Sequence, residues 1–524
     1  MASDDRQLYA IRRDISGGMN NRQIGSDIKD TQVTVLYNID ISVPGEAKKR
    51  PGTTLVEDLG NDAGRGIYGF MPINGTDRLI VQHGAKLEEW PGTSTPPNER
   101  KFNERKTDFT PGADVTMLKV IENGEDTLLV KVEGNNWFSF TQANLDGTGS
   151  GTDLGSDTGS STDDPYDTSV AHYFRQRLWL LKDNLLSWSD VAPRSYTGSF
   201  NTANAYKVDV GEERALISIR DTGIISFGSD AIYGVNPADA TMINAATDKV
   251  EKLLDIGCVA GKTVCQVGDD VLFMAPDGVR GLFRSQQDKL QLGASYPLSF
   301  VLKEQYEDIS WAYINKACAV FFDNKYFIAL PTSSSTYNNQ VWVYYPATQA
   351  WMVITGWKVG AWTKIVLNGQ EKLYYVDAND GSVYRAWYGY DDNGTAINYQ
   401  EEGRSEHFDK RLVKKCGGEL RIRALATGDY DLGIYIDIDG NGYLLLGTMN
   451  LDGNAPNLEI ALPFFLGAEN IKQKVFHLDS YGPFTEIKYK IVHNALNGSD
   501  DIKIYERTFI TYPEEYQPEN VSQS

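Results

Sequence analysis

Residues 177–189 read RLWLLKDNLLSWS, an apolar run that ends at Asp183–Asn184 and is followed by a second short strand pattern. Asp and Asn tolerate positive φ and favour tight turns between paired strands. A period of roughly 40–50 residues is typical of propellers and related arrays. The pattern therefore predicts an all-β chain with a β-propeller-like repeat region of six or seven blades. Comparable runs begin, at steps of 49, 50, 46, 47, 55 and 47 residues, at Leu79, Leu128, Leu178, Ile224, Val271, Tyr326 and Leu373.

The rest of the chain divides around this repeat. Residues 61–392 are predicted to form the propeller, and residues 1–60 an N-terminal wrapping segment with a short helix near Ser26–Asn38. From 393 to 512, alternating strands such as ELRIRAL and EIKYKIV follow turns at short intervals, which indicates an appended C-terminal antiparallel β-sandwich. Residues 513–524 are polar and predicted to be a flexible tail.

Charge limits the partners. The chain carries 50 Lys and Arg against 71 Asp and Glu, a net charge of −21. Binding to phosphates needs clustered basic residues, so we expect no surface that grips nucleic acid. An acidic wall past which DNA slides without specific binding is compatible with this charge, as is simple solubility.

Cysteine usage and hydropathy indicate a chain made in a cytoplasm. The four cysteines show no CxxC pair and no framework spacing, which predicts reduced thiols. The first residues lack a secretory pattern, and no run reaches the roughly 18 apolar residues of a membrane span. We therefore expect no membrane partner.

One stretch has the spacing of a cation loop. Asp437, Asp439 and Asn441 match the first half of a calcium loop, whose alternating oxygen ligands surround the ion. The twelfth position, where a bidentate Glu is needed, is Thr448. A hairpin turn is the favoured interpretation, because the stretch lies between two strands, and a weak cation site is the alternative.

Other motifs give no catalytic site. Residues 257–263, GCVAGKT, have three residues between the glycines where a phosphate-binding loop needs four, and their flanks indicate strand followed by strand. The five histidines show neither zinc nor triad spacing. We predict no catalytic residue, no cofactor and no enzyme activity, although the abundance of carboxylates leaves a paired-carboxylate glycosidase open.

A segment rich in Gly, Ser, Thr and Asp breaks the rhythm at 145–165. Its composition predicts a mobile loop between the second and third units. It is either a tolerated insertion or a flexible acidic tongue that gates a lumen. The candidate gating residues are Asp146, Asp153, Asp157, Asp163 and Asp164.

Several phrases resemble the tail tubular protein B, or nozzle, family of tailed bacteriophages. DISGGMNNRQ and YNIDISVPGEAKKRPGT, within residues 14–53, resemble that family's N-terminus, with its glycine pair and its later KRPG-like phrase. Residues 185–200, 215–235 and 256–282 resemble its propeller strands. The C-terminal sandwich has no matching phrase.

The resemblance implies a structural virion protein of the phage tail, a homo-oligomeric ring that forms part of the DNA-ejection channel. The implied ring is a hexamer whose partners are an adaptor, or head-tail connector protein, and the tail fibres. Two alternatives remain open: a carbohydrate-binding or depolymerising tail-fibre propeller, and a virion decoration or fibre-docking protein outside the DNA path.

Overall fold

The structure is a computed structural model with side chains. The residues it describes are 9–23, 25–60, 62–91, 102–146, 149–155, 164–219, 223–236, 249–292, 295–367, 369–408, 413–425, 431–451, 471–493 and 501–513.

The N-terminal segment is built from short strands. The predicted helix near Ser26–Asn38 is wrong, because two of these strands occupy that stretch and bury Val33 and Leu36. The β-branched side chains of Thr31, Val33 and Thr34 favour extended backbone there. The strands are β1 (Tyr9–Arg12), β2 (Gly18–Met19), β3 (Gln32–Val33), β4 (Val35–Tyr37), β5 (Ile39–Asp40), β6 (Ala47–Lys49) and β7 (Thr53–Glu57).

Four antiparallel sheets of four strands follow, and each is one propeller blade. Blade 1 contains β8 (Gly64–Phe70), β9 (Arg78–His83), β10 (Lys86–Pro91) and β11 (Asn103–Lys106). Blade 2 contains β12 (Val115–Glu122), β13 (Glu125–Val132), β14 (Trp137–Phe140) and β15 (Thr152–Asp153), with helix α1 (Gln142–Asp146) before β15. Blade 3 contains β16 (Ala171–Phe174), β17 (Arg177–Lys182), β18 (Leu185–Ser189) and β19 (Phe200–Lys207). Blade 4 contains β20 (Glu213–Ile219), β21 (Gly223–Gly228), β22 (Ile232–Asn236) and β23 (Lys249–Leu254).

Three further sheets complete the propeller. Blade 5 contains β24 (Cys265–Val267), β25 (Asp270–Ala275) and β26 (Gly278–Gly281), and helix α2 (Leu282–Leu292) follows the last strand directly. Blade 6 contains β27 (Cys318–Phe322), β28 (Lys325–Leu330), β29 (Gln340–Tyr345) and β30 (Ala350–Thr355), preceded by helix α3 (Lys303–Glu307). Blade 7 contains β31 (Val359–Leu367), β32 (Gln370–Asp377) and β33 (Val383–Ala386), and its fourth strand is β7 from the N-terminal segment.

The all-β propeller prediction is confirmed, with seven blades in the described part of the chain. Each of the seven apolar runs forms the second strand of one blade, namely β9, β13, β17, β21, β25, β28 and β32. The longest step, 55 residues, falls between blades 5 and 6, where α2 and α3 are inserted. The turn at Asp183–Asn184 has φ of 52° and 60°, as a tight hairpin requires.

The ring is closed in two ways. The antiparallel pairing of β7 with β33 joins the start of the chain to the last blade. Hydrophobic clusters also fill the gaps between adjacent blades, including the gap between blades 7 and 1, where Val376 packs with Leu79 and Ile67. Since a single blade cannot bury both of its faces, this cyclic packing supplies the core.

The C-terminal region is a sandwich that shares strands with the N-terminal segment. One sheet has the order β38-β35-β40-β6-β5, with β1 also on β40, and the other runs β4-β34-β39-β36-β37. The predicted segment 1–60 therefore contributes strands to both sheets and to blade 7. The strands are β34 (Tyr399–Glu402), β35 (Lys415–Leu425), β36 (Asp431–Ile438), β37 (Tyr443–Asn450), β38 (Ile471–His477), β39 (Ile487–His493) and β40 (Lys503–Pro513).

Propeller and sandwich are joined through β4. This strand pairs in parallel with β30 of blade 6, at Tyr37 and Val353, and antiparallel with β34 of the sandwich. One hydrophobic cluster accordingly runs from blades 5–7, for example Trp351, into the sandwich, for example Ile422 and Phe509. The two parts share a single core. In the predicted tail 513–524, Pro513 ends β40, and residues 514–524 lie outside the described residues.

Candidate functional site

The calcium-like stretch forms the hairpin turn between β36 and β37, as favoured from the sequence. Asp437 Oδ1 accepts the Gly442 N–H at 3.0 Å, and Asn441 Nδ2 donates to the carbonyl of Ile438 at 2.9 Å. Asp439 Oδ1 accepts the N–H and hydroxyl of Thr485 at 2.8 and 2.6 Å. Burial alone would raise the pKa of Asp439, but these hydrogen bonds outweigh it and lower that pKa. The three side chains therefore form hydrogen bonds that hold the β36–β37 turn and link it to the loop at Thr485.

Part of the predicted mobile loop belongs to blade 2, which corrects that prediction. Asp146 ends α1 and forms an ion pair with Arg78 of blade 1. Asp153 lies in β15, opposite Phe138, and Leu154 beside it is 2% exposed. The apolar side chain of Leu154 explains why this stretch docks despite its polar surroundings. A gating role for the segment stays a prediction.

The remaining candidates of this segment divide between described and undescribed residues. Asp164 Oδ2 would lie 2.9 Å from a Cβ added at Gly155, so the two ends of the segment approach each other. Asp157 and Asp163 lie outside the described residues.

Residues 257–263, whose sequence resembles a phosphate loop, lie beside the propeller axis. Gly261–Thr263 forms a 3-10 turn between β23 and β24, so its flanks are strands, as predicted. The Thr263 hydroxyl donates to the carbonyl of Ala260 at 2.6 Å and lies inside the fold. Lys262 instead lines the tunnel at the centre of the ring.

Two adjoining cavities form this tunnel. The outer cavity, of about 390 Å³, lies where the first strands of blades 2–4 begin, and the inner cavity, of about 360 Å³, is lined by first strands of six of the blades. The two cavities share Thr116, Ala171, Leu216 and Lys262. Concave surfaces of this volume are the usual place for a small-molecule site.

Acidic side chains surround the outer cavity. Asp114 Oδ1 lies 3.3 Å from Lys262 Nζ, and Glu212 Oε2 accepts a hydrogen bond of 2.6 Å from Arg214 Nη2. Glu213 Oε1 accepts the N–H of Asn184 at 2.8 Å. These three carboxylates are thus already engaged with neighbouring donors.

The inner cavity contains a buried guanidinium. Arg65, at the start of β8, is 9% exposed, and its Nε has no hydrogen-bond partner among the described residues. Burial lowers the pKa of Arg65, which the charge of Asp114 partly opposes. Burial and the neighbouring Arg65 also lower the pKa of Lys316. The thiol of Cys318 lies in the same wall, and burial raises its pKa to about 12.

An imidazole completes the inner wall. His172 Nε2 accepts the N–H of Ser218 at 3.1 Å and lies 2.9 Å from its hydroxyl. Burial lowers the pKa of His172 to about 4. The ring is therefore neutral at physiological pH and joins β16 to β20 across two blades.

Sequence reasoning missed the tunnel residues Arg65, Asp114, His172 and Lys262, and with them Lys316 close to Arg65. The apolar periodicity marks the second strands, whereas these residues lie on or just before first strands and in the turns between blades. A usable signal was present: a charged residue precedes or opens the first strand in blades 1, 2, 4 and 6, at Arg65, Asp114, Glu213 and Lys316.

Two further observations concern the described ranges only. Within them, no group of three or more His, Cys, Asp or Glu side chains is placed to hold a metal ion. No helix in the same part of the chain has the length and apolar character needed to cross a membrane. All four cysteines are free, as predicted, and Cys258, Cys318 and Cys416 are buried.

Comparison with known proteins gives distant structural similarity only. No family model matches the chain, and no curated protein matches it either. The extracellular domain of a hybrid two component system from B. thetaiotaomicron is similar at a TM-score of 0.40 and 10% identity; the match covers 74% of this chain and 46% of that one.

Two glycoside hydrolases are similar at lower scores. An exo-beta-1,3-galactanase from Phanerochaete chrysosporium has a TM-score of 0.27 and 8% identity over 87% of this chain and 100% of that one. A family 43 arabinoxylan arabinofuranohydrolase from Bacillus subtilis has a TM-score of 0.26 and 8% identity over 88% of this chain and 99% of that one.

Proposed function

We propose that this chain is a non-enzymatic structural protein of a phage tail, a nozzle or tail-tube component that forms a homo-oligomeric ring around the DNA-ejection channel. The observation that carries the proposal is where the N-terminal stretch that resembles the nozzle family lies in the fold. Residues 14–53 supply strands to both sheets of the sandwich and reach blade 7 at Thr53.

This arrangement suits a part that transmits load. The N-terminal segment ties the propeller to the sandwich, and one hydrophobic cluster spans both. A close-packed core deforms little, so the chain acts as one stiff block. Identical blocks joined head to tail close into a ring when the rotation between neighbours closes, and six copies is the number that the resemblance implies.

The charge supports the same proposal. With a net charge of −21, the chain repels DNA. It does not bind DNA phosphates in the way that basic proteins do, by releasing their counterions. DNA would then pass the ring without specific binding. The proposed partners are further copies of this chain, an adaptor at the head-tail connector, and tail fibres, and the proposed location is the tail of the virion.

Native mass spectrometry of the full chain, at low and at high salt, tests the ring. We expect a closed ring of six copies whose fraction rises with salt, because salt screens the repulsion between acidic subunits. Electron microscopy of the same sample should show a central channel. A chain that remains monomeric or trimeric at all salt concentrations, also with the adaptor added, contradicts the proposal.

A gel-shift measurement with double-stranded DNA tests the passage argument separately. We expect no shift at physiological salt. A basic DNA-binding protein at the same concentration is the positive control. Tight, salt-sensitive binding by the ring would contradict a channel that DNA slides through.

A carbohydrate-binding or depolymerising propeller is the second candidate, favoured by one observation. Asp114, Glu133, Glu212 and Glu213 line the outer tunnel cavity, and a carboxylate pair is what glycoside hydrolysis requires. The test is release of reducing sugar from host surface polysaccharide by the intact chain and by Asp114→Asn. Release that depends on Asp114 would favour this candidate over the ring.

A further inference from the structure

Arg65 is an unusual side chain for a propeller tunnel. Arg65 is only 9% exposed and lines the inner cavity. Its Nε lacks a hydrogen-bond partner within the described residues. A buried charge that is not paired carries a large desolvation penalty. Asp114 is the neighbouring opposite charge, yet the Nε donor of Arg65 stays unsatisfied.

One more cation lines both cavities, and another lies near Arg65. Lys262 Nζ lies 3.3 Å from both the Arg65 carbonyl oxygen and Asp114 Oδ1, so it stands directly over the backbone of Arg65. Lys316 lies close enough to Arg65 for the two charges to interact. Asp114 is the carboxylate that interacts with all three, and the other carboxylates of the tunnel line the outer cavity only.

We infer that the propeller tunnel binds a small oxyanion through Arg65 and Lys262, with Lys316 adding positive charge nearby. A phosphate or a carboxylate supplies the oxygen atoms that a guanidinium recognises in its plane, and the ammonium groups add charge without fixing direction. The anion would relieve the repulsion between Arg65 and Lys316. The adjoining cavities, of about 360 and 390 Å³, leave room for an organic group attached to it, such as a sugar.

This site does not use the phosphate-loop geometry that the sequence lacks. Only Lys262 of residues 257–263 lines both cavities, and its partner cation in the inner cavity, Arg65, belongs to blade 1. The inference is also independent of the proposed ring, because every residue in it belongs to one subunit. A failed ring assay leaves it standing.

Isothermal titration of the full chain with sodium phosphate, and separately with sodium glucuronate, tests the site at constant ionic strength set by chloride. We expect saturable heat with at least one of them, and the stronger ligand identifies the preferred class of anion. Arg65→Met and Lys262→Met should each weaken that binding at least about tenfold, because each removes a charge-assisted contact. Lys289→Met, which removes an exposed cation of α2 that pairs with Asp255, should leave binding unchanged.

Melting curves without ligand add a readout that a purely structural arginine would not give. Removing a buried charge that is only partly compensated should leave the Tm of Arg65→Met equal to or above that of the parent chain, while phosphate or glucuronate no longer raises it. Where Arg65→Met does not fold, anion binding by Lys262→Met is measured instead, because the Lys262 side chain is partly exposed. The absence of saturable binding by both anions, or undiminished binding in the variant tested, overturns the inference.

Discussion

Arg50 and Asp392 form an ion pair of 2.6 Å that joins the N-terminal segment to the loop after the last propeller blade. The Arg50 side chain is fully buried, its Nε donates to Asn38 Oδ1 at 2.9 Å, and its guanidinium lies 4.6 Å from the ring centroid of Trp357. Trp357 Nε1 also donates to Asp392 Oδ1 at 2.9 Å. Arg50 of the KRPG phrase is thus the centre of a buried cluster with Asn38, Trp357 and Asp392, the clamp.

Replacement of Arg50 by Met should loosen this clamp. It leaves Asp392 without its guanidinium, and breaking a buried pair by removing one partner typically costs about 3–5 kcal/mol. We expect a lower denaturation midpoint, measured by tryptophan fluorescence, and earlier proteolytic cleavage before residue 60. Lys48→Met, which removes a partly exposed cation 3.6 Å from Asp501, is the control. Equal stability of the two variants would contradict the clamp.

Gly52 of the same phrase tests the packing of the clamp. A Cβ added here would lie 1.7 Å from the carbonyl oxygen of Asp391, and backbone atoms cannot move aside cheaply. Gly52→Ala should therefore be destabilising by at least about 1–3 kcal/mol, as overpacking is elsewhere. Gly482→Ala is the matched control, because a Cβ there would meet nothing within 4 Å. Similar melting temperatures for the two variants would show that the 50–53 turn is not tightly docked.

The sequence predicts the blades well because each second strand is buried on both faces and is therefore a continuous apolar run. It cannot predict the closure. The pairing of β7 with β33 joins residues near 55 and near 385, and nothing in either strand alone encodes the other. The same holds for β4, which connects blade 6 to the sandwich.

The tunnel was missed for a related reason. First strands and the residues just before them mix charged and apolar side chains, as at Arg65 and Asp114. These side chains form a shared surface only when the seven first strands surround one axis in the folded propeller. The docking of Leu154 was missed because one apolar side chain in a polar segment gives no periodicity.

Leu154 should tie the acidic segment to blade 2. It is 2% exposed, and its N–H donates to the carbonyl of Trp137 at 2.9 Å. Leu154→Ala should lower the free energy of unfolding by about 2–5 kcal/mol, the usual range for a buried leucine. Leu185→Ala, at a side chain that is 42% exposed, should cost much less. Equal losses in thermal denaturation would mean that β15 does not belong to the core.

Two buried imidazoles should make the fold acid-sensitive. In the unfolded chain a histidine titrates near pH 6.5, whereas burial lowers the pKa of His172 to about 4, and burial with the charge of Lys49 lowers that of His493 to about 4. Between these values the unfolded state binds protons that the folded state does not. Stability is therefore complete above about pH 6.5 and falls as the pH falls toward 4, by on the order of 3 kcal/mol for each group.

Melting temperatures measured from pH 7 to pH 4 check this. His172→Gln, which retains an acceptor for the Ser218 N–H, and His493→Gln should each flatten the profile across this window. His477→Gln, at an exposed position on β38, should keep the steep profile of the parent chain. If all three variants lose stability in parallel with the parent chain, other groups cause the acid sensitivity.

The sandwich core contains a second buried pair, Glu401 with Arg507. Arg507 Nη2 donates to Glu401 Oε2 at 2.6 Å, and the hydroxyls of Tyr489 and Tyr399 donate to Glu401 at 2.6 and 3.0 Å. Burial and the charge of Glu401 raise the pKa of Tyr489 well above its ordinary value, which keeps this donor protonated. The carboxylate is thus held by three donors on β34, β39 and β40.

Arg507→Met should cost about 3–5 kcal/mol, because the remaining carboxylate is buried without its counterion. The double variant Glu401→Gln with Arg507→Met removes both charges and should recover a large part of that loss. Lys303→Met, which breaks the exposed pair with Glu307 at 3.8 Å, is the control and should change little. Denaturation midpoints for the parent chain, Glu401→Gln, Arg507→Met and the double variant complete the cycle. A double variant less stable than Arg507→Met alone would mean that Glu401 stabilises the sandwich through its tyrosine hydrogen bonds rather than through its charge.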